Sequence, residues 1–257
     1  VKMALDIIVE SAFYLRYEQG KYFASSEPTI NSVLARIRTA LRYDQIKVLM
    51  ESKVRTMIKE GVGPFHIEHN VTLPEHIPDK TNKPILAVVS LTAEEIDIEK
   101  MIYTKGINMP REQQNMVFLL VPETVRVKNQ QQSMFDMENT RREEARQTIE
   151  TIARQVKAMQ LLANNPQNYG VNPARLNEDD FKKRESEREQ SLSTAIARVY
   201  TRLYFPSASG HIVVKEIKTA GGEGGVPFIQ TILDMLIKEK ELLTEESTNT
   251  ADLTNLS

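Results

Sequence analysis

A continuous run of apolar residues occupies positions 116–122, with the sequence MVFLLVP. The run ends where Glu123 follows Pro122, and a long charged segment with helical periodicity then extends as far as Asn165. An element that is apolar on both faces must be covered on both, as the strands of a parallel sheet are. The helical segment is too long to pack entirely on one such sheet. The pattern therefore predicts an α/β body with a projecting helical arm.

Three segments have the apolar and β-branched composition of strands, at 65–72, 85–91 and 116–121. A helical pattern over 94–105 separates the second from the third, which makes a βαβ unit. Residues 211–217 predict one more strand, and Pro227 begins another helical pattern. The predicted fold class is α/β, with a small, mainly parallel sheet and flanking helices.

The N-terminal segment predicts a helix near 4–13, followed by a two-stranded hairpin across Gln19 and Gly20. A helix followed by such a hairpin is how a winged-helix module ends, and a plain hairpin that caps the sheet is the alternative. Two apolar stripes between Pro28 and Ile58 then predict either one bent helix or two successive helices.

Two longer stripes predict that the arm is an antiparallel helical hairpin. The first ends before Pro166, and the second starts near Glu178 and continues through Tyr200 and Leu203 to Phe205. Val1 lies inside a helical pattern with no capping residue before it, so we expect the chain to be part of a longer protein.

These patterns divide the chain into four predicted parts. A winged-helix-like remnant occupies 1–27, a small α/β domain occupies 28–125 and 205–243, the arm occupies 126–204, and a flexible tail occupies 244–257.

Composition restricts the classes of function. The 257 residues carry a net charge of −2, so the overall field does not attract nucleic acid or an anionic membrane, and any such binding requires a local patch. The chain has no cysteine, which excludes disulfides, thiolate nucleophiles and cysteine-based zinc sites, and a cytoplasmic setting fits best. Its apolar runs are far shorter than the roughly 20 residues of a membrane helix, so no membrane partner is expected.

The sequence displays no catalytic or cofactor-binding motif. It lacks the G-x-x-x-x-G-K-[ST] phosphate-binding loop, and its nearest imitation, residues 221–225, carries Glu223 and no following lysine. His66 and Glu68 alternate with His69 along a predicted strand, so the two histidines should not converge on one metal ion. We therefore predict no catalytic residue, no metal ligand and no cofactor in this segment.

Two residues are candidates for ligand contact because of their position alone. Ser90 and Glu123 follow predicted strands, and open α/β sheets bind ligands at the carboxyl ends of their strands.

The hairpin is the candidate for contact with nucleic acid. Arg16, Tyr17, Lys21 and Tyr22 would offer it both charge and stacking surface for a phosphate backbone. Other basic residues gather on predicted helices, where nearby glutamates in the arm explain part of them by ion pairing. These other basic positions are Arg36, Arg38, Arg42, Arg141, Arg142, Lys182, Lys183 and Arg184.

Several short motifs resemble the central to C-terminal part of a family of large prokaryotic proteins, predicted ATPases of the AAA+ superfamily that carry a domain of unknown function. The motifs are YFAS at 22–25, PTINSVL at 28–34, IPD at 77–79, ILAVV at 85–89, NMVFLLVP at 115–122 and AIARVY at 195–200. The resemblance implies a parent protein whose nucleotide-binding loop lies N-terminal to this segment, and whose genes often accompany restriction or phage-defence systems acting on DNA. It transfers no catalytic residue to this chain.

Three functions compete at this point. The first is a non-catalytic accessory region of a larger ATPase, which contacts the rest of its own chain or another protein. The second is a DNA-binding module that acts through the hairpin. The third is an independent α/β enzyme with its site near Ser90 and Glu123.

Overall fold

The computed structural model describes residues 15–18, 21–24, 28–59, 63–107, 109–128, 135–178, 180–207, 210–217 and 228–238. The chain divides into two compact units, each built from two stretches of sequence. Unit 1 comprises 1–50 and 147–195, and unit 2 comprises 51–146 and 196–257. Residues 28–50, assigned from sequence to the α/β domain, thus group with part of the arm. The four predicted domain ranges stay a prediction.

Unit 2 contains a five-stranded mixed sheet. Its strands are β3 (His66–Val71), β4 (Ile85–Val89), β6 (Val117–Pro122), β8 (Tyr200–Pro206) and β9 (Ile212–Glu216). They lie side by side in this order. The first three strands are parallel, and β8 and β9 are antiparallel to their neighbours. The predicted α/β class, with a parallel part of the sheet and flanking helices, is confirmed.

The apolar sequences of β4 and β6 place them at the centre of this sheet. Every residue of both strands is buried, as expected for strands with both faces covered. The short helix α3 (Ile98–Tyr103) contributes Ile98, Met101 and Ile102 to the core on one face. This packing forms an apolar core on that face of the sheet in unit 2.

The helix predicted over 94–105 is shorter than expected. Asp97 caps α3, since its carboxylate accepts a hydrogen bond from the amide of Lys100 at 3.1 Å, and the helix begins only after it. The residues just before it form β5 (Glu95–Ile96), which pairs in parallel with β7 (Arg126–Val127). The sequence did not predict this second small sheet.

The prediction that the second arm helix continues to Phe205 was wrong. The helix α6 (Phe181–Val199) ends at Val199, and the chain continues directly as β8. Aromatic and β-branched residues favour a strand here, and β8 provides the partner that the buried edge of β6 requires. Strand β9, at the predicted 211–217, then pairs with β8 along its whole length.

The two apolar stripes between Pro28 and Ile58 form two separate helices, α1 (Ile30–Ala40) and α2 (Tyr43–Met57), rather than one bent helix. Thr29 caps α1, because its hydroxyl accepts a hydrogen bond from the amide of Ser32 at 3.2 Å. Helix α2 starts after an extended Leu41.

The arm contains helices α4 (Phe135–Asn164), α5 (Pro173–Glu178) and α6. In unit 1 the end of α4 lies beside α6, since the Gln160 amide donates to the Glu189 carboxylate at 2.8 Å. Arg154 also donates to the carbonyl of Leu41 at 3.0 Å, which ties α4 to the end of α1.

The predicted hairpin is present as β1 (Leu15–Glu18) and β2 (Lys21–Ala24), which are antiparallel. The last described helix is α7 (Phe228–Lys238). The helix predicted near 4–13, the glycine-rich segment 221–225 and the tail 244–257 lie outside the described residues. No helix in the described ranges is long and apolar enough to cross a membrane.

Candidate functional site

Ser90 is placed where predicted, directly after β4, but its side chain is only 2% exposed. Its hydroxyl lies 3.0 Å from that of Thr92 and accepts a hydrogen bond from the Thr92 amide at 3.3 Å. The Ser90 amide donates to the carbonyl of Val71. Ser90 therefore holds together the turn after β4 and ties it to β3.

Glu123 follows β6 and is exposed. Its carboxylate accepts a hydrogen bond from the hydroxyl of Thr201 at 2.8 Å, and its amide donates to the carbonyl of Val199 at 2.7 Å. These bonds join the end of β6 to the start of β8. No hydrogen bond within the described ranges joins Glu123 to Ser90.

The loops at these strand ends are fixed by side chains that donate to backbone carbonyls. The Arg146 guanidinium, on α4, donates to the carbonyls of Thr124, at 2.8 Å, and Ala93. The buried hydroxyl of Thr124 also donates to the carbonyl of Leu91 at 3.3 Å. Arg146 thus bridges the loop after β4 to the loop after β6.

Side chains of β8 donate hydrogen bonds to further backbone carbonyls at the same end of the sheet. The Tyr200 hydroxyl donates to the carbonyl of Val89 at 2.7 Å, and burial raises the pKa of this phenol, which keeps it protonated as a donor. Arg202 donates to the carbonyls of Pro122, at 3.1 Å, and Val125, at 3.2 Å. Open α/β sheets bind ligands at this end of the strands. Here several of the backbone carbonyls at that end already accept hydrogen bonds from side chains of the protein itself.

A second feature of unit 2 is the loop 104–110, of which the structure describes 104–107 and 109–110, and whose base is held by Arg111. The Arg111 side chain is 2% exposed, and its guanidinium donates to five backbone carbonyls. The acceptors are the carbonyls of Pro74, Ile77, Pro78, Met101 and Thr104. One side chain thus fixes the segment after β3, the end of α3 and the start of the loop relative to one another.

An ionic cluster adds to this support. Lys105 lies 2.5 Å from Asp79 and 3.7 Å from Glu112. The Asp79 carboxylate also accepts a hydrogen bond from the Glu112 amide at 2.8 Å. The hydrogen bond from Lys105 lowers the pKa of Asp79, and the same contact raises the pKa of Lys105.

The tip of this loop is apolar and exposed. Ile107 is 92% exposed and Met109 is 56% exposed. The Lys105 amide donates to the carbonyl of Met109 at 2.9 Å, and Thr104 forms an isolated antiparallel β-bridge with Pro110, so the two sides of the loop are paired. The sequence analysis did not identify this surface. Its only sequence signal is the string Gly106-Ile107 between polar residues.

The nucleic-acid candidates are spread along the two strands of the hairpin. Tyr17 lies opposite Tyr22 in the register, and Glu18 lies opposite Lys21. Lys21 is exposed. The acidic Glu18 lies directly across from Lys21, so it reduces the net positive charge that Arg16 and Lys21 give to the hairpin.

Unit 1 contains a groove of about 210 Å³ between α1, α4 and α6. Three arginines line it, Arg38 from α1 and Arg184 with Arg188 from α6. The other lining residues are Asn31, Leu34, Gln155 and Met159. Sequence analysis identified Arg38 and Arg184 in separate basic clusters but did not bring them together, because they are far apart in the chain.

The histidines form no metal site among the described residues. His66 contacts Glu68 at 2.8 Å, which confirms that these two side chains share a face of β3. Within the described ranges, no group of three or more histidine, aspartate or glutamate side chains could hold a metal ion.

Comparisons of this chain with protein-family models, with curated proteins and with solved structures find no match. The resemblance to the AAA+ family therefore stays a hypothesis that rests on the short motifs alone.

Proposed function

We propose that this chain is a non-catalytic interaction region of a larger cytoplasmic AAA+-type ATPase, within a DNA-related defence system. Nucleotide hydrolysis would belong to another part of the parent protein, and this segment would need no cofactor of its own. The partner would be the rest of the parent chain or another protein, with DNA as a further candidate.

The observation that carries this proposal is the loop 104–110. Exposed apolar side chains on a rigid support are typical of a surface that contacts another protein, because little conformational entropy is lost when it binds. Ile107 and Met109 are such side chains, and Arg111 with the Lys105 cluster supplies the support.

The closed strand ends favour an interaction role over the third hypothesis, an independent enzyme. Arg146, Tyr200 and Arg202 donate to the carbonyls around Ser90 and Glu123. Opening a ligand site there would break several hydrogen bonds, and an acceptor left unpaired in a buried position costs about 1–3 kcal/mol.

The test uses the parent gene. A phosphate-binding loop should be encoded upstream, and the separately produced upstream region should bind this chain in a titration calorimeter. The double variant Ile107→Asp with Met109→Asp should abolish that binding, because two charges would have to be buried at the contact.

Val48→Asp is the matched control, because Val48 is also an exposed apolar residue, 64% exposed, but lies on α2 in unit 1. It should leave binding unchanged. A parent gene without a phosphate-binding loop, or robust ATP hydrolysis by this chain alone, would contradict the proposal. Equal binding by the wild type and the loop variant would also contradict it.

A second candidate function is DNA binding through the hairpin, which the exposed Lys21 favours. Binding to duplex DNA at low salt should then weaken in the double variant Arg16→Ala with Lys21→Ala, and salt should weaken wild-type binding. Unchanged binding by that variant would remove the hairpin from consideration.

A further inference from the structure

The groove between α1, α4 and α6 in unit 1 is lined by arginines, and two of them have no charged or hydrogen-bonding partner among the described residues. Arg38 and Arg188 line it, both are exposed, and neither guanidinium has a hydrogen bond or ion pair to any residue that the structure describes. Arg184 lies one helical turn before Arg188, so the two side chains share a face of α6. Three guanidinium groups thus border one small space.

Nothing acidic among the described residues lines the groove to balance this charge. Helix α6 does carry Glu185, Glu187 and Glu189 between and beside the arginines. None of the three lines the groove, and the Glu189 carboxylate instead accepts a hydrogen bond from Gln160. The local field in the groove is therefore positive although the whole chain has a net charge of −2.

The remaining lining residues suit a ligand that is only partly ionic. Leu34 and Met159 provide apolar surface. The buried amide oxygen of Gln155 has no hydrogen-bond partner within the described residues. Gln155 therefore brings to the lining an amide whose oxygen no described residue uses.

We propose that this groove binds a phosphate group, carried by a free nucleotide or by a nucleic-acid strand. Guanidinium groups match phosphate oxygens with paired hydrogen bonds, and a phosphate dianion can accept from several of them at once. The apolar surface of Leu34 and Met159 would contact the sugar or base attached to the phosphate. This site is independent of the loop 104–110 and of any protein partner.

The experiment titrates the purified chain at low ionic strength with four probes: inorganic phosphate, adenosine, adenosine monophosphate and a short single-stranded oligodeoxythymidine. Binding of adenosine monophosphate but not adenosine would identify the free nucleotide as the source. Tighter, salt-dependent binding of the strand would identify nucleic acid. Either result supports the proposal.

The double variant Arg38→Ala with Arg188→Ala should weaken binding of the phosphate-bearing probe by at least about tenfold, because two charge-assisted contacts are lost. The variant Arg38→Lys with Arg188→Lys should have an intermediate effect, since it keeps the charge and loses the paired geometry. Circular dichroism checks that each variant is folded.

The matched control is Arg55→Ala with Arg198→Ala, which removes the same charge from two exposed arginines outside the groove. It should bind nearly as the wild type does. An equal loss in this control would show that general charge, not the groove, holds the anion. That result would overturn the proposal, as would the absence of binding to all three phosphate-bearing probes.

Discussion

At the scale of single residues, the most constrained side chain is Arg111, which acts on structure rather than on a ligand. Its guanidinium is buried, and burial lowers its pKa while the nearby Asp79 carboxylate opposes that change. Its two terminal NH₂ groups donate to the backbone carbonyls around it, while its buried Nε has no hydrogen-bond partner among the described residues. A buried arginine of this kind is costly to change, because its acceptors cannot reach water when it is removed.

We expect Arg111→Lys to lower the free energy of unfolding by about 3 kcal/mol. A lysine ammonium carries three donors on a single nitrogen, so it cannot satisfy the five carbonyls that Arg111 reaches from two nitrogens. Urea denaturation followed by circular dichroism measures the change. Arg55→Lys, at an exposed position, should stay within about 0.5 kcal/mol of the wild type. Equal stability of the two variants would contradict the role assigned to Arg111.

Asp79 predicts a pH dependence of stability. Its pKa is lowered in the folded chain, chiefly by the hydrogen bond from Lys105, so the folded state favours the carboxylate. A carboxylate with a lowered pKa stabilises the fold above its unfolded pKa, and that contribution is lost as pH falls through the folded pKa. The wild type should therefore lose stability below about pH 4.

The variant Asp79→Asn should lose less stability over the same acid range, because its side chain does not titrate. Urea denaturation at a series of pH values compares the two proteins. Parallel curves for wild type and variant below pH 4 would show that the Asp79–Lys105 contact does not contribute.

The candidate site was only partly predictable at this scale. Sequence placed Ser90 and Glu123 correctly at strand ends, but it could not show that Ser90 is buried against Thr92 or that Arg146 covers the neighbouring loop. These contacts join residues far apart in the chain. Arg111 likewise has no local signal, because its acceptors are backbone atoms, which every residue carries.

At the scale of elements, β8 shows where periodicity fails. Val199 and Tyr200 lie three and four residues after Ile196, and Leu203 lies four and three residues after them, as on a helix. The pattern therefore continued past the true helix end at Val199. Only the pairing of β8 with β6 settles its conformation. The strands β4 and β6 were predicted well, because a short buried apolar run has few other stable arrangements.

Helix α7 packs against the turn before β3, and Gly63 makes this approach possible. Gly63 has a φ of 85°, and a Cβ added there would collide with the side chain of Leu233. Gly210 has a similar φ of 80°, but an added Cβ would have nothing within 4 Å. An alanine at Gly210 would therefore suffer backbone strain alone, whereas an alanine at Gly63 would suffer both backbone strain and a steric conflict with Leu233.

Gly210→Ala should lower the free energy of unfolding by about 1 kcal/mol, the cost of a left-handed conformation for alanine. Gly63→Ala should cost about 2 kcal/mol or more, since Leu233 must also shift. Thermal or urea unfolding of both variants measures the difference. Equal costs would mean that α7 does not pack on this turn as described.

At the scale of the whole molecule, each compact unit is made from two separate stretches of chain. Sequence analysis predicted two stretches for the α/β domain, but it did not join residues 28–50 to part of the arm. This arrangement also brings Arg38 and Arg188 to one groove although 150 residues separate them. The balanced composition of the whole chain therefore conceals a local positive surface.

The two stretches of unit 2 predict how fragments should behave. A fragment of residues 51–146 contains β3, β4 and β6 but lacks β8 and β9. Strand β6 is wholly buried and would then be an exposed, apolar edge, which is prone to aggregation. We expect this fragment to be found mostly in the insoluble fraction.

Joining residues 51–146 to 196–238 through a short glycine–serine linker should restore a folded, monodisperse unit 2. The junction is feasible because both ends lie beside the loop after β6. Arg146 donates to the carbonyl of Thr124, and the Glu123 amide donates to the carbonyl of Val199. Size-exclusion chromatography and circular dichroism compare the two fragments. A soluble, folded 51–146 fragment would mean that β8 is dispensable, and an aggregated linked fragment would mean that unit 2 cannot fold by itself.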